Sequence, residues 1–225
     1  MIVALMCLGL AASTAHAQEA PKAPDTAEEY TKNMQSFYNT TKDFQASFKQ
    51  VYTDVAAGDK DESFGRVYFK RPGRLRFDYF KKEKGKVVPQ KILVSDGKVF
   101  WVYEKAFQQV LKQCLKDSKL PTTMRFLMGQ GDLSKDFTVS LTKASKPTLP
   151  ELKLVPKKAT SKYKELRFVL DPKTFQVIKT TVYDPYGNTN ELFFKKILLN
   201  KNIQDKSFKF EPPANARQLN KDKSC

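Results

Sequence analysis

The chain has 225 residues but only one histidine, one tryptophan and three cysteines. The histidine, His16, lies in the opening segment MIVALMCLGLAASTAHA. The apolar run there is shorter than the ~20 residues a membrane-spanning helix needs, and it ends in Ala15-His16-Ala17, a small-x-small cleavage pattern. Residues 1–17 are therefore expected to be a signal peptide and 18–225 a single domain. No Lys or Arg precedes the run, which leaves open a start upstream of Met1 or a weak signal; the other reading of the run itself is a short membrane anchor. Cys7 does not suit a lipidated anchor, because Met6 before it is not small and apolar residues continue after it.

Without the leader no imidazole remains, which excludes a histidine-based triad, proton shuttle or metal site. The two remaining cysteines, Cys114 and Cys225, offer no metal-ligand spacing. In an oxidising compartment they either pair, tying the C-terminal tail to the rest of the fold, or stay as free thiols. No carboxylate pair is singled out for acid–base work. These absences argue against an enzyme and imply no cofactor and no metal. The sequence also lacks internal repeats.

Acidic residues are outnumbered, 24 against 40 Lys and Arg, giving a net charge of +16. Such a field favours anionic partners, whether lipid headgroups, acidic proteins or nucleic acid, or simply keeps the chain soluble. The lysines alternate along strands and loops and form no arginine-rich block, so solubility is favoured and no nucleic-acid partner is expected.

Periodicity is what the sequence has in abundance. Thr26 and Glu29 form a capping-box pattern, and Tyr30, Met34, Phe37 and Tyr38 follow at helical spacing, predicting an amphipathic first helix. From Phe44 the period becomes two, with Phe44, Ala46 and Phe48 on one face. Residues 70–80, KRPGRLRFDYF, turn at Pro72-Gly73 and then place Leu75, Phe77 and Tyr79 opposite Arg74, Arg76 and Asp78. The lysine-rich stretch 81–91 reads as an exposed loop.

Asp96-Gly97 in VSDGKVFWVY predicts a tight hairpin whose second strand is apolar on both faces. Further strands are expected at 108–113, at Phe137-Val139-Leu141, at Leu152-Leu154 and at Leu166-Phe168-Leu170. Hairpins follow near Asp171-Pro172 and Tyr186-Gly187-Asn188, and a last short strand is expected within FKFEPPANA, residues 208–216. Residues 120–131, LPTTMRFLMGQG, predict a second, short helix. About ten antiparallel strands, each with one apolar face, must stack as a sandwich or curl round their apolar side. Alternation alone does not separate a hollow sheet from a filled core.

The wording and order of these motifs resemble the outer-membrane lipoprotein carrier family, LolA. The residues that carry the resemblance are Lys70-Arg71-Pro72, VSDGKVFWVY, residues 121–128, LDPKTF at 170–175, DPYGNTN at 184–190 and FKFEPP. It spans the chain from the first helix to Ala216. The resemblance implies a mainly β fold: a single antiparallel sheet curled into a half-open barrel, with a helical lid over an apolar cavity. It also implies a periplasmic, monomeric carrier of triacylated lipoproteins, which binds their acyl chains and moves them from an inner-membrane exporter complex to an outer-membrane acceptor.

On this resemblance Arg71 is the lid latch, since five fixed guanidinium donors suit backbone carbonyls. Its other reading is an exposed strand-end arginine. The expected cavity liners are Leu75, Phe77, Trp101, Met124, Phe126, Leu127 and Met128, with Phe44 and Phe48 as further candidates; each also suits an ordinary core. Phe77 stands where many relatives carry tryptophan, and the chain is unusually basic. The alternatives are a periplasmic lipid- or lipoprotein-binding stress sensor of similar fold, and the membrane-anchored acceptor, which Cys7 does not fit.

Overall fold

The computed structural model describes residues 24–117, 126 and 132–219. The expected signal peptide, Cys225, and Met124, Leu127 and Met128 of the predicted second helix lie outside them. Helix α1 (Ala27–Thr40) begins at the predicted capping box: Thr26 Oγ1 accepts the Glu29 N–H at 3.2 Å and Glu29 Oε2 accepts the Thr26 N–H at 3.3 Å. The helix buries Tyr30, Thr31, Met34 and Tyr38, one stripe at helical spacing. A single turn, α2 (Leu133–Asp136), precedes the second half of the sheet.

The described strands form one sheet. In chain order they are β1 (Asp43–Asp54), β2 (Asp59–Lys70), β3 (Arg74–Glu83), β4 (Lys86–Asp96), β5 (Val99–Glu104), β6 (Gln109–Cys114), β7 (Phe137–Leu141), β8 (Glu151–Pro156), β9 (Glu165–Leu170), β10 (Val177–Tyr183), β11 (Thr189–Leu199) and β12 (Arg217–Gln218). Their spatial order is β12-β6-β5-β4-β3-β2-β1-β11-β10-β9-β8-β7. Two meanders, β1–β6 and β7–β11, are thus joined where β1 pairs with β11. The sheet is open, and it is mixed where a purely antiparallel one was expected. β12 runs parallel to β6, because the chain first crosses the outer face and so arrives without a hairpin.

Two further expectations are corrected. The stretch 81–91 is a hairpin, not a loop: β3 continues to Glu83, turns at Lys84-Gly85 with φ of 47° and 78°, and pairs with β4 through Glu83 opposite Lys86. Residues 208–216 form no strand. A 3₁₀ turn (Asp205–Phe208) ends there, and pairing resumes only at Arg217.

Register sorts the side chains into rows. Phe44, Phe69 and Leu75 make one row on the inner face, Ala46, Val67 and Phe77 the next, and Phe48, Gly65 and Tyr79 a third. Gly65 aside, these residues join Leu152, Leu154, Leu166, Phe168 and Leu170 of the other meander, and Tyr30, Met34 and Tyr38 of α1, in one buried cluster. Burying each such large side chain is worth about 1.5–3 kcal/mol. The sheet therefore wraps round its apolar face, and α1 packs across it against β7 and β8.

Candidate functional site

Tyr38 is the point where helix, sheet and turn meet. Its hydroxyl accepts the Val177 N–H at 3.1 Å. Its ring lies edge-on to Phe126, 5.1 Å between centroids, and to Phe44 at 6.4 Å. Burial pushes the phenol well above its ordinary pKa, against a smaller opposite pull from the Val177 hydrogen bond.

The main-chain carbonyl of Tyr38 accepts from Arg71 Nη2. The last carbonyls of a helix have no intrahelical donor. Here Phe37 O takes the Thr41 N–H at 3.1 Å and Thr41 Oγ1 at 2.8 Å, while the Lys42 N–H turns away to Asn200 Oδ1 at 2.9 Å. Tyr38 O is left for Arg71. No basic residue stands in α1's last turn, so the half-buried guanidinium supplies the cation that a helix C-terminus favours. Partial burial lowers the Arg71 pKa from its ordinary value, and the group stays cationic. The Arg71 N–H also bonds Lys42 O at 3.0 Å, fixing the β2–β3 turn beneath the helix end.

The sequence-derived liners divide. Leu75 and Phe77 are fully buried on the inner face, and Phe44 and Phe48 lie on the same face. Phe126 is buried between the Tyr38 ring and Phe168 of β9, at 5.9 Å from the latter. Trp101 does not belong with them. It pairs with Val94, which pairs with Arg76, and so faces outward. There it contacts Phe210 at 6.5 Å, in the segment that crosses the outer face. Both its neighbours face inward: Phe100, opposite Ser95 and hence in the Leu75 row, and Val102, opposite Leu93 and hence in the Phe77 row.

The crossing segment is held by three cations. Lys70 Nζ lies 2.7 Å from both Ile203 O and Asp205 Oδ1. Arg74 Nη2 lies 3.4 Å from Asp205 Oδ2, and Arg76 Nη1 donates to Ser207 O at 3.3 Å. Under them Val94 and Phe208 are fully buried. Cys114, at the end of β6, is disulfide-bonded, and the cysteine it joins lies outside the described residues. Among the described residues no group of three or more His, Cys, Asp or Glu is placed to hold a metal ion.

The role of Tyr38 escaped sequence reasoning, which took it only as a core residue of α1. Its polar partners, Arg71 and Val177, are 33 and 139 residues away, so no local pattern signals them.

This fold recurs in known proteins. The family model described as outer membrane lipoprotein carrier protein LolA matches residues 39–211. The chain belongs to the LolA family. A Methylococcus capsulatus relative named outer-membrane lipoprotein carrier protein is 27% identical over 214 residues, 95% of this chain and 93% of its own length. A Dechloromonas aromatica relative of the same name is 26% identical over 215 residues, 96% and 94% of the two chains. Among solved structures, an uncharacterized conserved protein from Thermus thermophilus shares the fold at a TM-score of 0.53 and 13% identity, covering 86% of this chain and 98% of that one. In this LolA-family chain the matched span contains Arg71 and every inner row described above.

Proposed function

We propose that this chain is a monomeric periplasmic carrier of triacylated lipoproteins, with residues 1–17 as a cleaved leader and the remainder as one carrier domain. In this reading it receives cargo from an inner-membrane exporter complex, holds the acyl chains against its inner face, and passes them to an outer-membrane acceptor. It makes and breaks no covalent bond. The observation that carries the reading is the buried apolar inner face of an open sheet, covered by a helix whose last turn is fastened by Arg71, in a LolA-family chain.

Magnitudes support the mechanism. An acyl chain of about sixteen carbons loses on the order of 12 kcal/mol on entering water, at about 0.8 kcal/mol per CH₂, so free diffusion of the cargo is excluded. A hydrogen bond from a charged donor contributes only about 1.5–3 kcal/mol. Acyl burial is therefore large enough to displace α1 from Arg71, and re-forming that bond helps to expel the cargo at the acceptor. The lid comprises α1 and the helix expected over 120–131, which carries Phe126, and the cavity opens as they lift from Leu75 and Phe77.

The test is direct binding. Mature protein incubated with a synthetic tripalmitoyl cysteinyl peptide should keep it in solution as a one-to-one complex. A peptide that sediments as readily with the protein as without it overturns the reading.

A further inference from the structure

The inner face changes character along its length. Beyond the three apolar rows come Gln50 opposite Ser63, and then Tyr52 opposite Asp61. Lys91 stands opposite Tyr79 and Glu104 opposite Lys91, continuing the same face across β3, β4 and β5. Together with Lys81, Gln90 and the exposed Phe107 these residues line a groove of about 420 Å³, within the roughly 300–1,000 Å³ typical of small-molecule sites.

The step from apolar to polar is built by one glycine. A Cβ on Gly65 would collide with the Asp78 carbonyl and come within 2.7 Å of the Phe48 ring. Its absence lets Phe48 lie edge-on to Tyr79 at 4.9 Å, and Lys91 Nζ sits over that same Tyr79 ring at 5.0 Å. Past this aromatic step the groups are hydrogen-bonding ones. Ser63 Oγ donates to Gln50 Oε1 at 3.3 Å, Gln50 Nε2 to Asn190 Oδ1 at 2.7 Å, and Lys81 Nζ to Asp61 Oδ1 at 2.6 Å.

Resting on the carrier reading above, we infer that this groove binds the polar head of the acylated cargo: the ester and amide carbonyls of the lipidated cysteine and the first peptide units behind it. A lipidated peptide passes from hydrocarbon to carbonyl to peptide in the same order as the inner face passes from Leu75 to Tyr79 to Gln50. Charge selects the class of head. The groove's lining sets Lys81 and Lys91 against Asp61 and Glu104, so it is balanced although the whole chain carries +16. A balanced, donor-rich groove suits neutral carbonyls and peptide dipoles, and it discriminates little in favour of an anionic phosphate.

The experiment compares three probes on the mature protein: a tripalmitoyl cysteinyl-seryl peptide without charged side chains, the neutral apolar dye N-phenylnaphthylamine, and palmitoyl lysophosphatidylglycerol. In the double variant Gln50→Met, Lys91→Met the lipopeptide Kd should rise on the order of tenfold, while the dye Kd stays within about twofold of the parent. Equal weakening of dye and lipopeptide, weakening of neither, or weakening of the lysophospholipid alone would each overturn the inference. Hydrogen exchange on the unmodified protein guards against a misfolded variant: lipopeptide should slow exchange around Ser63 and Lys91 beyond what the dye does, and identical protection would contradict the assignment. A parent protein that binds neither dye nor lipopeptide sinks the carrier reading itself, and this inference with it.

Discussion

Arg71 donates to the main-chain carbonyl of Tyr38, joining the β2–β3 turn to the last turn of the helix that covers the inner face. The carbonyl has no helical donor and the helix end carries no cation of its own, so one side chain meets both needs.

Replacing Arg71 with leucine removes both. The expected cost is about 2–4 kcal/mol in urea unfolding. Faster hydrogen exchange at residues 37–40 and readier uptake of an apolar dye should accompany it. Unchanged exchange there would show that Arg71 does not hold the helix.

Tyr38→Phe keeps the ring contacts with Phe126 and Phe44 but removes the acceptor for the buried Val177 N–H. An unpaired buried donor costs about 1–3 kcal/mol. A urea midpoint equal to the parent's would mean that the N–H finds another partner.

Alkaline pH probes the same residue by a different route. Burial raises the pKa of both Tyr38 and Tyr79 above the ordinary tyrosine value of 10.0. Above pH 10 the unfolded chain releases phenolic protons that the folded chain retains, so the unfolded state binds fewer protons and stability falls as pH rises. Each tyrosine contributes a slope of up to about 1.4 kcal/mol per pH unit. The loss begins near pH 10 and continues until the folded phenols titrate. Equilibrium unfolding at pH 9 to 11.5 should show it, and Tyr79→Phe should flatten it. Equal slopes in parent and variant would contradict the assignment.

Trp101 reports on the outer face. Uptake of an apolar ligand by the inner face should leave its emission unchanged, whereas Phe210→Ala should shift it to the red by exposing the indole. Strong quenching by a brominated acyl chain would place Trp101 inside after all.

These residues also show how far the sequence could be read. Strict alternation at Leu75, Phe77 and Tyr79 had one register compatible with a wet face and an apolar face, and the structure has that register. VFWVY was apolar on both faces, because β5 is covered on both: by the core within and by the segment ending at Phe210 without. Period two then gave no way to choose, and Trp101 was assigned to the wrong side. The lysines of 81–91 hid a hairpin because β3 and β4 run on beyond the buried cluster, where neither face needs to be apolar. The pairing of β12 with β6 and the bond from Arg71 to Tyr38 join distant parts of the chain, and neither leaves a local signature.

The most direct test of the carrier account uses spheroplasts that synthesise a radiolabelled outer-membrane lipoprotein. Adding the mature protein should move the label into the supernatant as a soluble one-to-one complex, and the Arg71→Leu variant should form that complex yet fail to pass it to outer membranes. Label that stays with the spheroplasts, while the added protein is folded and still takes up an apolar dye, would contradict lipoprotein carriage.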